Sequence, residues 1–405
     1  MSQKKKASSL RITAAIFSGL ILGIVFGLVM PGRFEWMLPV ITLITNLYMN
    51  ALRMMIYPLV FCSLIVGIKG IGSVSETGKI GGQSVLYFVI TTLIASLIGL
   101  FLPKALRLGE GVQIEMMESN VEATPFTSLL DTVQSLIPAN PVASFAEGNM
   151  LQVLVFAIII GITCLSLGEK AKPVVDLAEA MNEISIKIIG VVMYFTPIGV
   201  FCSIAGVIYT NGVETIVALG KVLIALYLAM FGYLFIMYGF VVKAIGKCSI
   251  RKFFVTIMPA ALNAFGTCSS SATLPISKKC ADELEVPNEI SSLALPLGAT
   301  INMDAVSILM SFMIVFFANA CNVEVNIGLL AVVLLSNTLL SVGTPGVPGG
   351  AIASFAALAA IAGLPTGVMG VYISINTLCD MGATCCNVVG DIACSVAMKE
   401  TVKMK

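Results

Sequence analysis

Long apolar runs alternate with short polar breaks along almost the whole chain. Runs near 11–30, 38–68, 82–103, 149–168, 184–209, 215–243, 289–320 and 365–398 are long enough to cross a bilayer, since a spanning helix needs about 20 predominantly apolar residues. Two further apolar segments, 252–287 and 327–363, are interrupted in the middle by "TCSSSATLP" and "SVGTPGVPGG". Each half is too short to span alone, so each segment is predicted to enter the membrane and return as a helical hairpin. A Gly/Pro tip at membrane depth is tolerated only where protein or a watery cavity surrounds its free backbone groups. Two such broken segments in comparable positions point to a transporter of inverted repeats with its site between the tips. The expected fold is therefore all-α and integral to the membrane, with eight transmembrane helices plus two re-entrant hairpins.

Composition supports that pattern. The 405 residues are 58% hydrophobic and 11% charged, with a mean hydropathy of +1.01 and no histidine, which excludes ordinary soluble classes. Lys4, Lys5, Lys6 and Arg11 at one end and Lys399, Lys403 and Lys405 at the other place both termini in the cytoplasm by the positive-inside rule. A multi-pass protein of the plasma (inner) membrane, solvated by membrane lipids, is expected. The first run reads as a retained helix, because no small-residue cleavage site follows it. A net charge of +1 gives no reason to expect a nucleic-acid partner. The eleven cysteines lie almost wholly in apolar segments and read as small buried hydrophobes. The polar stretch near 104–148 reads as a long extracellular connection containing short helices.

The candidate chemistry sits inside the last spans. In "NTLCDMGATCCNVVGD", residues Asn376, Asp380, Thr384, Asn387 and Asp391 follow at steps of four, four, three and four, so all five lie along one helical face. Gly382 and Gly390 beside them would let another element approach closely. Intramembrane ionisable groups of this kind mark ion or substrate pathways by default. In "PLGATINMDAVSILM", Asn302 and Asp304 are two apart and cannot share a helical face, which predicts locally unwound backbone able to ligate a hard cation. Thr91 and Thr92 in "YFVITTLIAS" place hydroxyls at mid-membrane.

Other classes fit less well. No G-x-x-x-x-G-K-[ST] loop serves an ATP-driven pump, and no repeated carbonyl filter run marks a channel. An intramembrane aspartyl protease could pair Asp304 with Asp391, but "NVVGD" lacks the glycine two residues before its Gly-Asp pair and the hairpins would have no purpose. The chain is not expected to be an enzyme.

"TCSSSATLP", "LGATINMDAV", "SVGTPGVPGG" and "DMGATCCNVVGD", in this order and spacing, closely resemble the glutamate/neutral amino acid transporter family, the dicarboxylate/amino acid:cation symporters, in a prokaryotic member. "RMMIYPLVFCSLIVGI" and "YFTPIGVF" extend the likeness over nearly the whole chain. The resemblance implies a Na⁺-coupled symporter working as a homotrimer by an elevator mechanism. Its scaffold would be residues 1–75 and 104–212, and its moving transport domain residues 76–103 and 213–405. It also implies roles for single residues. Ser269, Ser270 and Ser271 of the first tip would receive the substrate carboxylate, with Val347 and Gly349 of the second tip beside it. Asp380 would bind the amine, helped by Thr384 and Asn387. Sodium would be held by Asp391 with carbonyls of Gly298, Asn302 and Asn387; by Thr300, Ser341, Val342 and Thr344; and by Asp304, Asn302, Thr91 and Thr92 with the Phe88 carbonyl.

Two departures bear on the substrate. Acidic-substrate members carry arginine where this chain has Ala383, and threonine where it has Val306; Cys268 stands at a further position where some members place arginine. A side-chain carboxylate would then be desolvated without a partner, at a cost of several kcal/mol. The expected substrate is a neutral amino acid resembling serine, alanine, threonine or cysteine, with an acidic amino acid or C4-dicarboxylate as the alternative.

Overall fold

The computed structural model describes residues 2–76, 79–111, 137–147, 149–211, 213–344, 346 and 348–402. Most of the expected extracellular connection, and Val347, lie outside the described residues. Among the described residues every regular element is a helix.

Helix α1 (Ser2–Val29) packs on α8 (Thr196–Asn211) through a stripe of glycines four residues apart. A Cβ at Gly19 would stand 2.4 Å from the Pro197 carbonyl oxygen, one at Gly23 2.7 Å from that of Phe201, and one at Gly27 2.8 Å from that of Ala205. Such stripes let two backbones touch where lipid supplies no hydrophobic drive.

The predicted run 38–68 is not one helix. It divides into α2 (Leu38–Arg53) and α3 (Ile56–Glu76), because Pro58 in the first turn of α3 has no N–H to return to the Met54 carbonyl. The predicted run 184–209 is also broken. Helix α7 (Lys172–Val192) ends in a short 3₁₀ turn, Met193–Phe195, ahead of Pro197 in α8. Between these lie α4 (Lys79–Ala105), the short α5 (Pro141–Glu147) and α6 (Met150–Leu167).

Helix α9 (Val213–Tyr233) runs on through two π turns, Leu234–Tyr238 and Val241–Ile245. Each expected hairpin is a helix pair. The first is α10 (Ile250–Thr267) with α11 (Ser270–Glu283). The second is α14 (Ile327–Gly343) with α15 (Gly350–Ile361). None of the four reaches 20 residues. Helices α12 (Asn288–Ile301) and α13 (Asp304–Ala320) follow the first hairpin, and α16 (Val368–Thr401) closes the described chain.

Five stretches among the described residues are long and apolar enough to cross a membrane: Gly81–Ala105, Gln152–Val192, Val217–Ile245, Asn288–Ala320 and Val368–Thr401. The last two are buried throughout their apolar windows and form the centre of the molecule, with α4, α9 and both hairpins packed around them. Outward positions such as Leu228, Ile236 and Leu262 are large, apolar and exposed, as lipid contact requires.

Candidate functional site

The helix breaks where sequence spacing predicts it. After Ile301 the chain leaves helical geometry at Asn302 (φ −81°, ψ 93°) and Met303 (φ −118°, ψ 43°), and α13 resumes at Asp304. The break turns both Asn302 and Asp304 inward, each fully buried. The Ala305 N–H, among those without a helical partner at the start of α13, donates to Asn387 Oδ1 of α16 at 2.8 Å.

Asp391 lies behind that break. Asn302 Nδ2 donates to Asp391 Oδ1 at 2.8 Å and to the Asn387 carbonyl at 3.2 Å. The carboxylate crosses so close to α12 that a Cβ on Gly298 would stand 2.4 Å from Asp391 Oδ1, so only glycine fits there. Asn302 Oδ1 is buried with no hydrogen-bond partner. Asn302, Asn387, Asp391 and Gly298 are thus brought together, with Asn302 Oδ1 lacking, among the described residues, the hydrogen-bond partner that a buried polar atom normally has. The Gly298 carbonyl already accepts from the Asn302 N–H at 2.8 Å.

Asp304 is wrapped by hydroxyls. Thr91 Oγ1 and Thr92 Oγ1 donate to Oδ1 at 3.1 and 2.8 Å, while the Tyr233 and Tyr238 hydroxyls donate to Oδ2, each at 3.0 Å. Thr91 also reaches the Phe88 carbonyl at 3.1 Å. The threonines are those expected from sequence; the tyrosines are not.

Asp380 is placed differently. It receives the Gly349 N–H at 3.4 Å and the Thr384 hydroxyl at 3.1 Å, and it lines a small pocket between the hairpin tips with Cys268, Ser270, Met303, Val306 and Gly346. Thr344, Ala351, Thr384 and Asn387 complete the wall of a cavity of about 10 Å³, room for about one water molecule. Among the described residues, Asp380 is the only formally charged group in that lining.

The tips meet each other. Ser269, the N-cap of α11, accepts from the Ala272 N–H and donates its hydroxyl to the Gly346 carbonyl at 3.1 Å, and the Ser271 N–H points at the same oxygen at 3.4 Å. A helix N-terminus attracts negative charge, and here the second tip's carbonyl supplies it. Of the three serines, Ser270 lines the pocket, Ser269 spans the tips, and the Ser271 side chain is exposed. Ala383 is fully buried and stands outside the pocket lining. Gly349, the N-cap of α15, takes φ +79°, a left-handed conformation that favours glycine.

The remaining expected cation ligands are less convergent. Thr300 is exposed and donates to Leu297 O, Ser341 donates to Thr338 O, and Thr344 donates to Leu340 O and pairs with Ser354. Val342 is half-buried against Gly67. Gly346 abuts the Ala299 carbonyl, which brings the second tip to within one residue of Thr300 along the chain.

Comparison with known proteins fixes the context of this geometry. Residues 12–401 match the Sodium:dicarboxylate symporter family. The chain belongs to that family. It is 29% identical over 388 residues to the C4-dicarboxylate transport protein of Bacillus subtilis, covering 94% of this chain and 91% of the relative. It is 28% identical over 393 residues to the proton/sodium-glutamate symport protein of Geobacillus stearothermophilus, covering 95% and 93%. It is 30% identical over 394 residues to the C4-dicarboxylate transport protein of Pectobacterium atrosepticum, covering 95% and 90%.

Sequence reasoning missed Tyr233, Tyr238, Met303 and the Gly346 carbonyl. Met303 Sδ lies 3.3 Å from Asn387 Nδ2 and lines the pocket, and its position in the unwound "NMD" was a usable signal. The tyrosines gave none, because five residues on an α-helix are about 140° apart.

Proposed function

We propose that the chain is a Na⁺-coupled symporter of a small carboxylate-bearing solute in the plasma membrane. The observation that carries the reading is Asp380, the single charge in a pocket closed by two hairpin tips. Asp304 and Asp391 lie outside that lining, among hydroxyl and amide groups that suit a hard cation. In this reading the first tip's donors, now on the Gly346 carbonyl, turn to the substrate carboxylate, and Asp380 faces its amine where it has one. Asp391 with Asn302, Asn387 and Gly298, and Asp304 with Thr91 and Thr92, take Na⁺. The scaffold of residues 1–75 and 104–212, the moving unit of residues 76–103 and 213–405, the elevator stroke and the homotrimer belong to the same proposal, supported by the motif resemblance.

The names of the relatives support an acidic amino acid or a C4-dicarboxylate as the solute, and none of them supports a neutral amino acid. One feature of this chain favours the second reading, a neutral α-amino acid: the pocket lining holds no Lys or Arg, with Val306 in its wall. A second carboxylate entering beside Asp380 would meet like charge in a desolvated site. A thermal-shift screen of the purified chain with the twenty amino acids and common dicarboxylates, in NaCl and in choline chloride, tests both. Stabilisation by aspartate, glutamate or a dicarboxylate only in Na⁺ supports the acidic class. Stabilisation by serine or alanine alone supports the neutral one. No solute-specific, Na⁺-dependent shift would refute the symporter reading.

A further inference from the structure

The tyrosines on Asp304 owe their position to a helix irregularity. Tyr233 is the last α-helical residue of α9 and Tyr238 the last of the π turn that follows. In a continuous α-helix, residues five apart point about 140° away from each other. A π turn, bonded from i to i+5 with about 4.4 residues per turn, brings the fifth residue back to within about 50°. Both rings accordingly face one way, with centroids 5.3 Å apart and planes at 79°, and both hydroxyls reach the same oxygen, Oδ2, at 3.0 Å. Both side chains are buried, and Tyr238 completely. Space for Tyr238 is made on the far side by Gly390 of α16, where a Cβ would stand 2.4 Å from the tyrosine hydroxyl.

The two carboxylate oxygens therefore differ in the kind of partner they have: Oδ1 faces the Thr91 and Thr92 hydroxyls of α4, and Oδ2 faces the two tyrosine hydroxyls of the π turn. On the Oδ1 side Thr91 has a second acceptor, the Phe88 carbonyl, so its hydroxyl can turn and present a lone pair to a cation. On the Oδ2 side the Tyr233 hydroxyl shares its one proton between Oδ2 and the Thr91 carbonyl at 2.9 Å, while the Tyr238 hydroxyl donates to Oδ2, and both phenols sit on buried rings. The geometry points to Tyr233 and Tyr238 as positioning residues of a Na⁺ site: the π turn clamps Oδ2 and thereby aims Oδ1 at the threonine side, where the ion enters. This rests on the Na⁺-symporter reading above. π turns are rare and concentrate at functional positions, and partners that orient a metal ligand contribute about 10–100-fold in metal affinity.

The test is a Na⁺ titration of the detergent-purified full chain by thermal shift, with choline chloride balancing ionic strength and no organic solute present. Tyr233→Phe and Tyr238→Phe, which keep the rings and remove one hydroxyl each, should raise the Na⁺ concentration for half-maximal stabilisation by about tenfold. The double variant should raise it further, while the melting temperature in choline stays close to that of the wild type. Tyr227→Phe is the control on the same helix, since its hydroxyl goes to the Leu378 carbonyl at 2.6 Å; its half-saturation should not move. If Asp304→Asn loses the Na⁺ response but both tyrosine variants titrate as wild type, the inference is overturned and the symporter reading stands. A lower melting temperature in choline with unchanged Na⁺ half-saturation would make the tyrosines merely structural and overturn it as well. A wild type that Na⁺ does not stabilise overturns both.

Discussion

Asp304 and Asp380 are both buried carboxylates on the two innermost helices, yet their surroundings differ. Asp304 has four hydroxyl donors drawn from α4 and the end of α9. Asp380 has one hydroxyl from its own helix and one long N–H contact from the second tip, and it opens on a pocket. An ionised carboxylate can accept about four hydrogen bonds. Asp304 has four protein hydroxyls within reach, two of them, on Thr91 and Tyr233, shared with a backbone carbonyl, whereas Asp380 has only two partners among the described residues. A buried charge is costly unless it is paired, and the difference agrees with the proposed division, in which Asp304 serves an ion and Asp380 serves the solute.

The largest expected effect tests the Asp380 half. Asp380→Asn should weaken solute binding by more than about 100-fold, because a charge-assisted bond in a closed pocket is lost, while the solute-free Na⁺ titration keeps its amplitude. Calorimetry and thermal shift on one preparation measure the two, and loss of both together would erase the division of labour. Next in size, Asp391→Ala should raise Na⁺ half-saturation by about 10–100-fold and leave the Asn302 amide without its carboxylate partner. An unchanged titration would remove Asp391 from the ion path.

A third prediction sharpens the pocket's chemistry. Val306→Arg, in the pocket wall, should raise aspartate affinity by about 10–100-fold, from one charge-assisted contact, and weaken any neutral amino acid that binds the wild type. Strong competition by aspartate in the wild type would mean that a cation reaches the pocket from elsewhere and would favour the acidic class. The smallest effect belongs to a surface pair far from both carboxylates. Lys252, 3.0 Å away and helped by Lys399, holds the exposed Glu285 carboxyl below its ordinary range. Its small contribution is present above the unfolded glutamate value and fades as pH falls through the lowered folded one. Glu285→Gln should shift the melting point only slightly at neutral pH and not at all in acid, with Na⁺ and solute titrations unmoved.

Much of this contrast could be read in the sequence because it rests on helical arithmetic. The five polar residues from Asn376 to Asp391 are all buried on the continuous α16, and the two-residue spacing of Asn302 and Asp304 marks the break that the chain makes. Other features depend on departures from regular geometry that residue spacing does not encode. The π turn that pairs Tyr233 with Tyr238, and the Gly346 carbonyl that occupies the first tip, arise only when α4, α9 and the hairpins close on α12, α13 and α16. The runs 38–68 and 184–209 are divided for a local reason: Pro58 and Pro197 interrupt hydrogen bonding inside segments whose apolar character is unbroken. The glycine stripe on α1 was legible in its four-residue spacing, but only the approach of α8 gives it a purpose.

Proteoliposome uptake under an imposed Na⁺ gradient tests the central claim most directly, using the solute that the thermal screen identifies. The account predicts saturable uptake above the outside concentration, collapsing when the Na⁺ gradient is dissipated and absent in Asp380→Asn. Uptake that is non-saturable, indifferent to the Na⁺ gradient and retained in Asp380→Asn would contradict it and make the protein a conductive pore.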